Sequence, residues 1–175
     1  MHTKEWRRSS NTGHLLRLST PNVKIQIYGR RNDLADASDW IDERETRPLV
    51  LYPTGDSIKL SRDFSTFGND PRPITLIVPD GTWSQARHIA KRVKGLDAFP
   101  HVALPRPPEV MMRPRRNIGD DRMSTYEAVA QALTVLEDDG LEVPFSAFFH
   151  QVAARMLCMR GRVSRQDVDA LTLRG

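Results

Sequence analysis

The sequence predicts an α/β fold in which a largely parallel sheet is flanked by helices. Three observations carry that expectation. Leu49-Val50-Leu51-Tyr52-Pro53 and Ile74-Thr75-Leu76-Ile77-Val78 are short apolar runs rich in branched residues, the continuous pattern of strands covered on both faces. Each runs into a turn that combines Pro, Gly and Asp, at Pro53-Thr54-Gly55-Asp56 and at Pro79-Asp80-Gly81. The second turn opens directly into helical periodicity, with Trp83, Ala86, Ile89 and Val93 on one face. In parallel sheets ligands gather beyond the carboxyl ends of the strands, so both turns are candidate site loops.

The elements follow in order. Asn11 is placed to cap a short helix over His14-Leu15-Leu16-Arg17-Leu18, closed by Pro21. Val23 to Tyr28 alternates with period two and predicts a half-buried strand ended by Gly29. Asp33 to Glu43 is weakly helical, and Ser65 to Arg72 reads as a loop. Thr82 and Gln85 have the spacing of a capping box, which starts a helix running to about Lys94 and stopped by Gly95. Val102-Ala103-Leu104 predicts a short strand. Pro105 to Arg122 is irregular, with four prolines among Arg106, Arg113, Arg115, Arg116 and Arg122, and a loop of that length and charge is expected to be functional. Ser124-Thr125-Tyr126-Glu127 is a second capping box, opening a helix that runs toward Gly140. From Pro144 a broad apolar stripe of Phe145, Phe148, Phe149, Val152, Ala153, Met156 and Leu157 predicts a core helix ending at Gly161, and Ser164 to Arg174 a last short one.

A chain of 175 residues suits one domain, spanning 1–175, and can bury about 70% of its unfolded surface without staples. The single cysteine, Cys158, excludes an internal disulfide framework and is expected in the core. No apolar run approaches the roughly 18 residues of a membrane span, and the first residues are charged; a cytoplasmic protein is expected. The net charge is +4, yet of 26 basic residues 21 are Arg. Arginine suits planar contacts with phosphate, which points toward nucleic acid. The five histidines are scattered without metal-ligand spacing, so no metal site is expected. No phosphate-loop glycine pattern and no GxSxG turn occurs.

Asp80-Gly81-Thr82-Trp83, followed by Ser84-Gln85-Ala86, resembles the signature of the DTW-domain family, the tRNA-uridine aminocarboxypropyltransferases. Three further matches stand in the order that family shows: Lys4-Glu5 with Ser10-Asn11-Thr12-Gly13, then Leu51-Tyr52-Pro53, then Met123-Ser124-Thr125-Tyr126-Glu127-Ala128. The resemblance runs from about residue 2 to about residue 136. It implies a SPOUT-like α/β fold with a C-terminal trefoil knot, S-adenosylmethionine as cofactor, and transfer of its 3-amino-3-carboxypropyl group to N3 of a tRNA uridine with release of methylthioadenosine. A SPOUT-like RNA methyltransferase and a non-catalytic RNA-binding module are the alternatives. Two departures stand out. Members commonly begin with a cysteine-rich segment that looks zinc-binding, whereas this sequence has no CxxC, and Thr3 stands where a proline is usual.

Carried onto these positions, the resemblance implies a cofactor site built from Leu51, Tyr52, Pro53, Pro79, Asp80, Gly81, Thr82, Trp83, Leu104, Met123, Ser124 and Thr125. The first N–H groups of the helices opening after Thr82 and Ser124 could each hold the methionyl carboxylate. Asp80 is the candidate base for the uridine imide, or else an electrostatic partner of the sulfonium or ammonium. Trp83 continues the apolar face of its helix and is expected to pack under the loop instead of stacking on a base. Candidate RNA contacts are Arg7, Arg8, Arg87, Lys91, Arg113, Arg115, Arg116 and Arg122, with Lys94 beside Lys91, and Asn11 and Thr12 in the first motif.

Overall fold

Period-two alternation within one short strand sets the layers. In the computed structural model, which describes residues 1–30, 35–62, 70–105, 123–137 and 139–172, strand β1 (Arg47–Leu51) sends Val50 into one core and Leu49 and Leu51 into another. Both cores are closed to solvent at this strand: Val50 is fully buried and Leu49 and Leu51 nearly so. The first holds Ile89, Val93, Leu96 and Phe99 with Ala37, and the second holds Leu60, Val102, Ala132 and Leu136. A sheet with a helix on each face follows.

Strands β2 (Ile58–Lys59), β3 (Ile74–Ile77) and β4 (His101–Ala103) complete a four-stranded sheet of order β2-β4-β1-β3 among the described residues. Every pairing is parallel, with Val50 opposite Ile77 on one side and His101 on the other, and Ile58 opposite Val102. The carboxyl ends of β1, β3 and β4 therefore share one edge. The largely parallel sheet of the sequence reading is present, with two corrections. Among the described residues Ile74 to Ile77 forms an edge strand whose residues are all half-buried, since only β1 pairs with it there. Val23 to Tyr28 lies outside the sheet: its alternation serves a single bridge between Tyr28 and His2, where the Tyr28 N–H donates to the Met1 carbonyl and the Thr3 N–H to the Tyr28 carbonyl.

The helices obey their local signals. Thr3–Trp6 forms α1, and Asn11 caps the turn that leads through Thr12–Leu15 into α2 (Leu16–Ser19), its side chain accepting from the Gly13 N–H at 2.7 Å. Ala37–Asp39 is one 3₁₀ turn where a weak helix was expected, and residues 31–34 lie outside the described set. Helix α3 (Trp83–Arg92) packs on one sheet face and α4 (Thr125–Leu136) on the other. Both capping boxes close as the spacing predicts: Thr82 Oγ1 accepts from the Gln85 N–H at 3.3 Å, and Ser124 Oγ from the Glu127 N–H at 3.3 Å. Gly95, at φ 85°, turns the chain after α3, a conformation that side chains rarely adopt. Helix α4 ends at Leu136, short of Gly140.

Helix α5 (Glu142–Met159) brings Phe145 and Phe149 against Tyr126 and Val129 of α4 and Leu16 of α2. Tyr126 stacks on Phe149 at 5.3 Å and shares a 2.9 Å hydrogen bond with the Ser19 hydroxyl, which gives its buried polar tip a partner. Burial raises the Tyr126 hydroxyl above its ordinary pKa, partly offset by that bond. Cys158 is half-buried, not one of the core residues. Helix α6 (Arg165–Thr172) is the last element among the described residues. Among the described residues no helix is long and apolar enough to cross a membrane.

One exposed ion pair tethers the turn before β1 to the end of α3. Lys94 Nζ lies 2.7 Å from Asp36 Oδ2, and with the Ser38 hydroxyl and N–H it holds the Asp36 carboxyl at about 2. A depressed carboxylate adds stability that is present above the ordinary pKa near 4 and lost as pH falls through about 2. In Lys94→Ala the carboxyl titration of Asp36, followed by NMR, is expected to move up toward the ordinary range. An unchanged titration would mean that the two Ser38 donors alone hold it.

Candidate active site

Three chain reversals meet at the carboxyl edge of the sheet. At the end of β1 stand Leu51, Tyr52 and Pro53; after β3 come Val78, Pro79 and Gly81; the third is the approach to α4 through Met123 and Ser124 to Thr125. With Val102, Ala103 and Leu104 of and after β4 they enclose a cavity of about 270 Å³. Its walls are mainly apolar, and the first turns of α3 and α4 both open onto it through Trp83 and Thr125. Apolar walls with a few convergent polar groups are the makeup of a small-molecule site. Two helix N-termini at one cavity favour an anionic ligand group.

The structure thus brings together ten of the twelve candidate cofactor residues: Leu51, Tyr52, Pro53, Pro79, Gly81, Trp83, Leu104, Met123, Ser124 and Thr125 line the cavity. Thr82 stands just outside as the exposed cap of α3. Asp80 stands behind the wall. It is only 6% exposed, Asn11 Nδ2 donates to its Oδ2 at 2.8 Å, and the Thr125 hydroxyl donates to its Oδ1. Its backbone carbonyl takes the His2 N–H at 2.8 Å. Asp80 is therefore one hydrogen bond removed from the cavity, through Thr125.

That carboxylate gathers the first motif around itself. A Cβ on Gly13 would come within 3.3 Å of Asp80 Cγ and 3.0 Å of Asn11 Oδ1, so the close approach of this loop suits glycine. Thr12 Oγ1 accepts from the Tyr126 N–H at 3.4 Å in the first turn of α4. Asn11 and Thr12, grouped with the RNA contacts in the sequence reading, are each 7% exposed and face these partners instead of solvent.

Trp83 departs from expectation. It is 46% exposed, because the apolar face of α3 that meets the sheet is Ala86, Ile89 and Ala90, and residue 83 lies a turn earlier, past the end of the strands. Its ring contacts that of Tyr52 at 6.1 Å with a 50° tilt.

Of the basic candidates, Arg7, Arg87 and Lys91 are exposed, Arg8 is paired to the buried Glu5 at 3.0 Å, and Lys94 is paired to Asp36. Arg113, Arg115, Arg116 and Arg122 lie outside the described residues. Five lining residues had no place among the sequence candidates: Val78, Ala86, Val102, Ala103 and Ala128. Ala86 and Ala128 stand three residues after the first position of their helices, on the face above the cavity, where a small side chain leaves room. The signal was available, since each closes one of the two capping-box motifs.

A parallel sheet carrying a ligand-sized apolar cavity at its carboxyl edge, with two helix N-termini turned onto it, is the arrangement in which α/β proteins commonly hold small molecules. The DTW domain matches residues 1–157. A curated relative, tRNA-uridine aminocarboxypropyltransferase 2 of Drosophila melanogaster, is 33% identical over 141 residues, which is 78% of this chain and 54% of the relative. The chain thus spans about half the length of that relative. No solved structure matches this chain. The chain belongs to the DTW-domain family.

Proposed function

We propose that the chain is an S-adenosylmethionine-dependent tRNA-uridine aminocarboxypropyltransferase, placing a 3-amino-3-carboxypropyl group on uridine N3 and releasing methylthioadenosine. The observation that carries this reading is the convergence of the three motif turns on one apolar cavity, in a member of the family to which the named relative belongs. A SPOUT-like arrangement with a C-terminal trefoil knot goes with it; the all-parallel order β2-β4-β1-β3 supports its α/β part.

The residues present suit the donor. Leu51, Tyr52, Val102 and Leu104 offer apolar walls for an adenine, and the positive dipole ends of α3 and α4, whose Gln85, Tyr126 and Glu127 N–H groups are already bonded within the protein, favour a carboxylate. When bound, S-adenosylmethionine would supply a sulfonium whose adjacent methylene is open to displacement. The chain's own task is orientation and exclusion of water, which the packed walls perform. Asp80 fits a positioning role better than that of a base touching uridine, because both carboxylate oxygens already accept hydrogen bonds and the side chain does not line the cavity. It fixes Thr125, and through Thr125 the start of α4.

One incubation tests the reading. With S-adenosylmethionine and unmodified tRNA, nucleoside mass analysis is expected to show aminocarboxypropyluridine, and methylthioadenosine should accumulate in equal amount. A methyl-sized gain with adenosylhomocysteine would reassign the chain to the methyltransferases. Neither product, with RNA still bound, would reduce it to a binding module.

A further inference from the structure

We propose that the hydroxyl oxygen of Thr125 receives the α-ammonium of the donor, so that the amino-acid end of the donor lies at the start of α4 and not of α3. This assignment rests on the reading of the chain as an S-adenosylmethionine-dependent transferase, and it chooses between two helix starts that the sequence leaves equivalent.

The direction of one proton carries the choice. Both oxygens of the buried Asp80 carboxylate accept, one from Asn11 Nδ2 at 2.8 Å and the other from the Thr125 hydroxyl. An ionised carboxylate has no proton to give, so the Thr125 proton is committed to Asp80 and the hydroxyl meets any further group only through its lone pairs. The bond crosses from α4 to the turn after β3, and the residues on each side of it, Ser124 with Thr125 and Pro79 with Gly81, line the cavity. An ammonium brings three donors and no acceptor, which suits such an oxygen; a carboxylate would meet it lone pair to lone pair. Ser124 is the complement. Its oxygen accepts from the Glu127 N–H at 3.3 Å, and among the described residues nothing takes its proton, which leaves that proton for a carboxylate. The positive end of α4 favours a carboxylate in the same place. Ammonium and carboxylate share one carbon in the donor, so an acceptor and a donor on consecutive residues answer both. The start of α3 has no such pair on the cavity: Thr82 is exposed outside it with its oxygen held in the capping box, and Ser84 is exposed and does not line it.

Calorimetry with four ligands tests this: S-adenosylmethionine, its decarboxylated form, its analogue with hydrogen in place of the ammonium, and methylthioadenosine, which lacks the whole amino-acid end. Thr125→Val keeps the shape and removes the oxygen. It is expected to weaken the first two ligands roughly tenfold to a hundredfold, the range of a hydrogen bond to a charged group, and to leave the last two near native. Thr125→Ser should restore the first two. Thr125→Cys keeps a proton for Asp80 but puts a poor acceptor in place of the oxygen, so it repeats the pattern even if Thr125→Val fails to fold. Native affinity for S-adenosylmethionine in Thr125→Val or Thr125→Cys overturns the proposal. So does an equal loss for methylthioadenosine, which would make Thr125 a contact of the nucleoside or a support of the wall, and so does a loss confined to ligands that carry the carboxylate. The tRNA incubation is read separately. Aminocarboxypropyluridine from a chain whose Thr125→Val variant binds all four ligands normally keeps the transferase and removes the ammonium seat. The expected affinity pattern with a methyl-sized gain, or with no product, keeps the seat and removes the transferase.

Discussion

Asp80→Ala is expected to lose about 3 to 5 kcal/mol of stability, because two charge-assisted hydrogen bonds go and the amide of Asn11 and the hydroxyl of Thr125 are left without their acceptor. For a chain of this size that is a fall of roughly 6 to 20 °C in Tm. The larger effect is functional. Thr125 lines the cavity and opens α4, so freeing it loosens one of the two helix ends that face the ligand, and donor affinity should drop about tenfold or more. Asp80→Asn separates positioning from proton abstraction. Its amide keeps the shape and one acceptor, so roughly half the stability loss is expected, with donor affinity and the pH profile of transfer close to native. An Asp80→Asn protein that binds donor with native affinity but transfers nothing at any pH would restore Asp80 as the base. Unchanged Tm in Asp80→Ala would mean that the Asn11 and Thr125 bonds contribute nothing.

Local signals were legible where the chain makes its own partners. Thr82 with Gln85 and Ser124 with Glu127 are contacts three residues apart, and both boxes formed where the spacing put them. The convergence of the turns after Leu51 and Val78 with the one before Thr125 was legible too, since a parallel sheet has one ligand edge. What stayed hidden depends on distant partners. Nothing near Ile74 tells that β3 is an edge, because strand order is decided by which chains pair with β1. Val23 to Tyr28 has the alternation of a strand, but among the described residues its only bridge is to His2. Asp80 reads as a site acid from its place at a strand end, and only Asn11, 69 residues away, and Thr125, 45 residues away, turn it into a buried anchor. Trp83 was misplaced for a simpler reason: helical periodicity assigns a face but not where along the helix the sheet ends.

Gly81→Ala should be disproportionately harmful for so small a change. Gly81 does not adopt a left-handed φ, so the requirement is space, not conformation. A Cβ there would stand 2.7 Å from Gln85 Cβ and 2.9 Å from Gln85 Oε1, while His2 Cβ waits at 3.4 Å on the other side. The far end of Gln85 can swing away, but only by abandoning the Thr82 N–H, to which its Oε1 is bonded at 2.7 Å. Its Cβ is fixed to the helix and cannot. Either the first turn of α3 unwinds or the turn shifts as a body, carrying Trp83 and the cavity wall with it. A loss of about 2 to 3 kcal/mol is expected, the sum of a broken cap and overpacking strain, together with weaker donor binding. Gln85→Ala supplies the comparison: it removes the same cap bond without the crowding and should cost about 1 kcal/mol with the cavity intact. Equal melting temperatures for Gly81→Ala and Gln85→Ala would refute the steric account and leave the capping bond as the whole effect.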